Sequence, residues 1–400
     1  MDKHFSRNSP AWPVALAGAL ALAVAMGIGR FAFTPLLPLM QREHLVGDSE
    51  GAVLAAINYA GYLLGALTAA RLAARPRRLV LASLVATVLV TAGAGLVNHM
   101  AAWVLLRGAA GVLSAWVMVG VSAWAIGELA RRGRSELGGH VFAGVGLGIV
   151  VAGGWTWWHA DAGSAALWVH LGLLAVPAVV AIAWVWKRDA AAPVAAKAGE
   201  ASRARQREWG LVIAYGLFGF GYILPATYLP AMARTLVDDP RWFGLAWPVF
   251  GAAAAASTLM AGAALKRWRQ QDVWAVCHAL MAVGAVLPLL SRSPAAIAAA
   301  ALAVGGSFMV ATMSGLQLAR ARAAENPAPL LARMVAGFAT GQIAGPLVTV
   351  AVAHWRGASG IEPTLVIAAA LLAASGLWLY RQPSAEGELA HGTEPHAATR

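Results

Sequence analysis

Residues 27–40 read GIGRFAFTPLLPLM, and residues 219–232 read GFGYILPATYLPAM. The two stretches share two glycines, a Leu-Pro pair and a methionine at a constant offset of 192 positions. Each lies in an apolar run long enough to cross a bilayer, which takes roughly 20 residues as a helix. A repeat of this kind predicts a chain built from two similar membrane-spanning halves.

A second match supports the repeat. Gly144 and Gly148 align with Gly337 and Gly341 at an offset of 193. Glycine and alanine are abundant in this chain, so one such match has little weight. Two matches at nearly the same offset, in corresponding apolar runs, favour true internal repetition.

The composition indicates an integral membrane protein. Of the 400 residues, 60% are hydrophobic and only 12% are charged, which lies outside the range of soluble globular domains. The formal charge of +12 does not predict a nucleic-acid partner, because the basic residues lie between apolar blocks rather than in a recognisable binding module. Cys277 is the only cysteine, which excludes a disulfide framework, and no metal or other cofactor is expected.

Twelve apolar stretches qualify as membrane spans. Their predicted limits are 13–39, 51–73, 79–98, 102–127, 140–158, 165–186, 209–233, 243–264, 273–290, 295–318, 334–353 and 363–380. The predicted organisation is an N-terminal tail at 1–12, a six-helix half at 13–186, a linker at 187–208, a second six-helix half at 209–380 and a C-terminal tail at 381–400. The basic N-terminus resembles a signal peptide, but the apolar run continues to Met40, which predicts a retained first span.

The distribution of basic residues predicts the orientation. With the N-terminus in the cytoplasm, 23 of the 30 Lys and Arg residues fall in inner segments and 5 in outer segments. Such an excess on one side is typical of cytoplasmic loops. Both termini are therefore predicted to be cytoplasmic.

On these features the chain resembles the major facilitator superfamily, and specifically its YbfB/YjiJ type, through GIGRFAFTPLLPLM and through NYAGYLLGAL at 58–67. The resemblance implies an all-α fold of twelve helices, secondary transport by alternating access, and residence in a bacterial inner membrane. Two general signals of the superfamily are incomplete here. Ala69 replaces the usual acidic residue after the second span, and Ile149 replaces the proline of the span-five pattern, whereas span eleven has Gly345-Pro346.

Two arginines, Arg30 and Arg107, lie inside predicted spans. A charge near the bilayer centre costs from about 2.5 to more than 10 kcal/mol, so each is expected to face a cavity or a partner. All 18 Asp and Glu residues fall in loops, tails or span ends. Two guanidiniums without a buried acid predict an anionic ligand. The alternative is that one of them, with Arg107 the stronger candidate, is structural and donates to helix carbonyls.

Other polar and aromatic residues of the presumed cavity helices are candidates for orienting a ligand. They are Asn58, Tyr59, Tyr62, Trp116, Tyr215, Tyr222, Thr227, Tyr228, Trp247, Ser314, Gln317 and Gln342. Asn58 lies well inside its span, and Tyr222 occupies the position that the repeat aligns with Arg30. These two are the predicted substrate contacts beside Arg30 and Arg107.

Two histidines, His170 and His278, lie about a turn or more inside spans and are the candidate proton carriers. An isolated histidine in a span is more often a packing residue. The small residues of spans five and eleven, Gly144, Gly148, Gly337, Gly341 and Gly345 with Pro346, are expected to allow close helix packing at the interface between the halves.

The sequence thus predicts a monomeric secondary transporter that moves a small anionic solute, coupled to an ion, and not an enzyme, because no P-loop or catalytic constellation is present. The lipid bilayer and the small-molecule substrate are the only expected partners. One alternative is a drug-type exporter of amphipathic compounds, favoured by an aromatic pocket and by arginines that face helix backbone. Another is a membrane sensor or scaffold without flux.

Overall fold

The computed structural model describes residues 11–72, 75–188, 204–234, 240–265, 267–323, 325–356 and 360–382. These residues form twelve helices long and apolar enough to cross a membrane, and no strand occurs among them. The helices are α1 (Trp12–Arg42), α2 (Asp48–Leu72), α3 (Pro76–Gly93), α4 (Met100–Arg131), α5 (Gly138–Trp158), α6 (Ser164–Arg188), α7 (Ala204–Arg234), α8 (Pro240–Ala264), α9 (Gln270–Leu290), α10 (Pro294–Arg322), α11 (Ala328–Arg356) and α12 (Ile361–Tyr380).

The predicted number and order of spans are confirmed. The sequence placed the end of the third span at residue 98, whereas α3 ends at Gly93 and a turn follows it. Most of the predicted tails and most of the predicted linker lie outside the described residues, although α1 already begins at Trp12, within the predicted N-terminal tail.

Helix α1 is the irregular member of the set. It is α-helical over Trp12–Leu22, π-helical over Ala23–Arg30 and α-helical again over Phe33–Arg42. Single π segments inside α-helices are frequent at functional sites. Its repeat partner α7 is a continuous α-helix, so the two halves differ most at the stretch that contains Arg30.

The repeated glycines pack helices within each half. A Cβ built on Gly144 would overlap the carbonyl oxygen of Ala19, and one on Gly148 would overlap that of Ala23, both in α1. In the second half, a Cβ on Gly341 would overlap the carbonyl oxygen of Gly216 in α7. The glycines therefore bring α5 against α1 and α11 against α7.

This corrects the prediction that Gly144, Gly148, Gly337, Gly341 and Gly345 pack at the interface between the halves. Gly337 meets Val212, and Gly345 meets Ile223, both on α7 of the same half. Pro346 lies half-buried within α11. Span five is rich in small residues on several faces, so the sequence did not indicate which face meets which neighbour.

The interface between the halves uses another face of α5. A Cβ on Gly146 would lie 2.5 Å from the Ala255 nitrogen of α8, and one on Gly139 would lie 2.5 Å from the carbonyl oxygen of Thr258. Helices α2 and α11 form a second contact between the halves. A third contact lies at the end of the helices that the distribution of basic residues predicts to be cytoplasmic. There Arg320 packs against Gly127, and Gln317 packs against Gly138.

Candidate functional site

Arg30 lies at the centre of the interface between the halves. It ends the π-helical segment of α1 and is only 2% exposed. Its Nε donates to Asn58 Oδ1 at 3.2 Å, and its Nη2 donates to Gln342 Oε1 at 2.8 Å. The guanidinium carbon lies 3.8 Å from the centre of the Tyr62 ring. Arg30 thus contacts α2 in its own half and α11 in the other.

Three hydrogen bonds join Arg30, Asn58 and Arg107 in a closed ring. Arg30 donates to the Asn58 side-chain oxygen, Asn58 Nδ2 donates to the Arg107 carbonyl at 3.0 Å, and Arg107 Nη1 donates to the Arg30 carbonyl at 3.3 Å. Close packing of α2 on α4 makes this possible, because a Cβ on Gly111 would overlap the Asn58 carbonyl oxygen. The ring fixes the position of Arg30 relative to α2 and α4.

Pro35 explains why Arg107 is needed in this ring. Proline has no N–H, so the carbonyl of Phe31 lacks its usual donor four residues later. The N–H of Thr34 donates to Phe31 instead, at 3.2 Å. The Arg30 carbonyl would accept from Thr34 in a regular α-helix, and here it accepts from Arg107. A buried carbonyl that lost this donor would be costly.

We expect a double-mutant cycle to detect this relation. Arg107→Leu should lower the free energy of unfolding by about 1–3 kcal/mol, because the Arg30 carbonyl loses its donor. In a Pro35→Ala background, residue 35 regains an N–H for Phe31 and Thr34 can bond Arg30 again. The penalty for Arg107→Leu should then fall by about 1 kcal/mol or more. Melting curves of the four proteins in detergent measure it, and additive penalties would contradict the assignment.

The two arginines have different surroundings. Arg107 is 7% exposed, lies 4.4 Å over the Phe33 ring, and borders a small apolar cavity lined only by first-half residues, among them Trp103 and Trp168. Arg30 instead reaches the second half. The two side chains are therefore joined in one hydrogen-bond network, while Arg107 borders a cavity lined by first-half residues and Arg30 contacts the second half.

Among the described residues, neither arginine forms an ion pair with a carboxylate. Glu128 is the only buried carboxylate among the described residues. It pairs with Arg131 and Arg132 at the end of α4. The groups that Arg30 meets are neutral amides and aromatic rings. Its positive charge is solvated by dipoles but is not neutralised.

Gln342 contributes to the site although it was not one of the predicted substrate contacts. It belonged to the wide set of polar candidates but not to the predicted contacts, yet it is the acceptor that joins Arg30 to the second half. A signal existed. The repeat that aligns Gly148 with Gly341 also aligns Ile149 with Gln342, so Gln342, like Arg30, is a polar residue that the other half does not repeat.

Tyr222 belongs to a row of stacked rings in the second half, which we call the aromatic ladder. It consists of Trp247, Phe250, Phe308, Tyr222 and Phe338, whose successive ring centres are 5.2, 5.2, 4.9 and 6.1 Å apart. The interplanar angles along the row are between 7° and 25°.

The ladder lies next to the arginine site. The ring centres of Trp247 and Phe31 of the first half are 6.2 Å apart, and the guanidinium carbon of Arg30 lies 5.5 Å from the centre of the same Phe31 ring. Tyr222, which the repeat aligns with Arg30, is thus a member of the ladder, and the ladder reaches the Arg30 site through Trp247 and Phe31.

The histidines lie away from the Arg30 network. His278 is fully buried and accepts a hydrogen bond from Trp274 Nε1 at 2.8 Å within α9. His170 is half-buried on α6, with its ring 6.2 Å from Trp155. Among the described residues, no ring contact or hydrogen bond joins either histidine to Arg30. Both instead contact neighbouring aromatic rings, His278 with Phe218 and His170 with Trp155.

Comparison with known proteins identifies a family and solved structures of similar fold. The model of a family described as "Uncharacterised MFS-type transporter YbfB" matches residues 22–379. The crystal structure of the human organic anion transporter MFSD10 (TETRAN) superposes with a TM-score of 0.72 and 14% sequence identity, over 93% of this chain and 100% of that chain. A search of curated proteins gave no match. At this identity the structural likeness establishes the fold alone.

Proposed function

Because the chain belongs to the family of the uncharacterised MFS-type transporter YbfB, we propose that it moves a small organic anion across the bacterial inner membrane by alternating access. The family and the fold make it a multi-pass membrane transporter with a small-molecule substrate, and not an enzyme. The observation that carries the anionic substrate is Arg30, a buried charge with neutral partners in both halves.

The physical argument concerns the cost of that charge. A guanidinium in a region of low dielectric is stabilised most by an anion within hydrogen-bonding distance. Its planar fork suits the two oxygens of a carboxylate. In this proposal the anion binds Arg30 when the halves separate on one side, and the loaded carrier closes around it. Asn58 and Arg107 position Arg30 and do not themselves bind the substrate.

The aromatic ladder supports a substrate that also carries an aromatic ring. Offset stacking on a side-chain ring contributes about 0.5–1.5 kcal/mol beyond the burial of area. When the halves separate, Trp247 at the end of the ladder would lose its contact with Phe31 of the first half, and a flat ring could stack there with its carboxylate reaching Arg30, which lies beside the same Phe31 ring. An aromatic carboxylate is therefore the proposed substrate class. MFSD10, whose fold this chain shares, is an organic anion transporter, which agrees with this proposal.

The ladder also favours a second candidate, a drug-type exporter of amphipathic compounds. Its pocket would be aromatic, as here, and Arg107 does donate to helix backbone. The two candidates differ in whether the charge of the compound matters. For the first, a negative charge is essential; for the second, neutral and cationic aromatic compounds would also be moved.

Benzoate, acetate, benzamide and benzylammonium separate these functions. In proteoliposomes containing purified protein, we expect benzoate uptake to exceed acetate uptake by about tenfold, the equivalent of about 1.4 kcal/mol of stacking and burial. Benzamide and benzylammonium should stay at the level of protein-free vesicles. Equal transport of all three aromatic compounds would establish the exporter instead, and absence of flux for every compound would favour a sensor or scaffold.

Energy coupling in the proposal comes from the gradient of the anion itself. His170 and His278 were the candidate proton carriers, and neither contacts Arg30 among the described residues. Within the part of the chain that the structure describes, the site offers no carboxylate that could exchange a proton with the solute. Uptake of benzoate should therefore be equal, within about twofold, with and without an imposed pH gradient, once the small un-ionised fraction is subtracted using empty vesicles.

A further inference from the structure

The hydrogen bond between Arg30 and Gln342 joins the two halves at a point where they must separate. Helix α11 is held against α7 at this level, because a Cβ on Gly341 would overlap the Gly216 carbonyl oxygen. The Gln342 side chain, 1% exposed, therefore leaves a fixed backbone and reaches across to α1. An opening that moves α1 away from α11 would break this bond, and closing would restore it.

The acceptor in this bond is a carbonyl oxygen, the same kind of atom that a carboxylate would present. Gln342 Oε1 lies 2.8 Å from Arg30 Nη2, a normal distance for a charge-assisted bond. Each edge of the guanidinium that can hold a carboxylate by two parallel N–H groups includes Nη2, and Asn58 already occupies Nε. A carboxylate bound in this way would therefore meet the Gln342 amide oxygen at Nη2, and the two compete for that nitrogen.

This competition decides whether the empty carrier can close. Closing two halves over a guanidinium that has lost its acceptor would bury an unsatisfied charged donor, which is strongly unfavourable. With Gln342 present, the empty carrier closes with Arg30 satisfied. With the anion bound, the anion takes the place of the amide. Both the loaded and the empty carrier then have a closed state through which they can pass.

We propose that Gln342 takes the place of the transported anion in the empty carrier, and that the protein therefore carries out net transport and not only exchange of one anion for another. The inference rests on the proposed function, since it requires that an anion binds Arg30. It adds the mode of transport and the residue that determines it.

The test compares two fluxes in one set of proteoliposomes. Net uptake of labelled benzoate is measured into vesicles without internal benzoate, and exchange is measured into vesicles preloaded with unlabelled benzoate. Gln342→Met keeps the length of the side chain but removes the acceptor. We expect net uptake to fall by about tenfold or more, equivalent to about 1.4 kcal/mol, while exchange stays within about threefold of the unchanged protein.

A second variant has a different expected result. In Gln342→Glu the new carboxylate pairs permanently with Arg30, so both net uptake and exchange should fall by about tenfold or more. Thr349→Val is the matched control on α11, because Thr349 donates only to the Gly345 carbonyl of its own helix. Both fluxes should be unchanged in that variant.

The outcomes are distinguishable. If Gln342→Met leaves the ratio of net uptake to exchange unchanged, whether both fluxes persist or both disappear, the inference is wrong. If the Gln342→Met protein does not fold, the Gln342→Glu protein decides the question. Undiminished exchange by Gln342→Glu overturns the inference, and loss of exchange supports the inference. If the unchanged protein neither accumulates nor exchanges benzoate, the proposed function itself is wrong.

Discussion

Arg30→Gln reduces benzoate uptake by about 100-fold and leaves the protein folded. A charge-assisted hydrogen bond to a carboxylate is worth about 1.5–3 kcal/mol, and the upper end applies in a buried site, which corresponds to about 100-fold. Glutamine still offers an N–H to neighbouring amides but carries no charge. Initial rates in proteoliposomes, normalised to the amount of reconstituted protein, measure the effect.

The same substitution should raise thermal stability or leave it unchanged. Arg30 is a buried charge without a carboxylate partner among the described residues, and removing an uncompensated buried charge relieves a desolvation cost. Arg42→Gln is the control, because Arg42 lies on the same helix but is exposed and bonds only the Pro38 carbonyl. Undiminished uptake by a folded Arg30→Gln protein would refute the anion site.

Gly144→Val prevents stable packing of the first half. A Cβ at this position would overlap the backbone carbonyl oxygen of Ala19, and a backbone atom of a packed helix cannot move aside as a side chain can. The helices must separate, and we expect a loss of about 3 kcal/mol or more, at the upper end of overpacking costs. The melting temperature in detergent and the monodisperse fraction on gel filtration measure it.

Gly154→Val is the matched control for this prediction. It makes the same change on the same helix α5, but nothing lies within 4 Å of a Cβ at Gly154. Its effect should stay within about 0.5 kcal/mol, as for other substitutions at open positions. If Gly144→Val and Gly154→Val destabilise the protein equally, the cost does not come from the close approach of α5 to α1, and the prediction is wrong.

Most of the fold could be predicted from the sequence because hydropathy and the repeat are long-range patterns. Twelve apolar runs and the shared Gly-x-Gly and Leu-Pro positions indicate two six-helix halves, and each span needs about 20 residues whatever its neighbours are. The assignment of glycines to neighbours could not be predicted. Gly144 and Gly146 are two positions apart, yet the first meets α1 and the second meets α8.

The candidate site was predicted in part, for a physical reason. A charge inside an apolar run is rare and costly, so Arg30 and Arg107 are visible without any structure, and Asn58 is conspicuous as a buried amide. The role of Arg107 depends on which backbone carbonyl Pro35 leaves without a donor. Such a relation joins residues 72 positions apart and follows from the path of α1, which hydropathy does not encode.

The position of a bound anion tests the central claim most directly. A crystal structure with 4-iodobenzoate would locate the iodine by its anomalous scattering and the carboxylate by its density. The account predicts carboxylate oxygens at about 2.7–3.2 Å from the Arg30 guanidinium, the ring against Trp247, and Gln342 no longer bonded to Arg30. Iodobenzoate bound elsewhere, with the hydrogen bond from Arg30 to Gln342 intact, would contradict it.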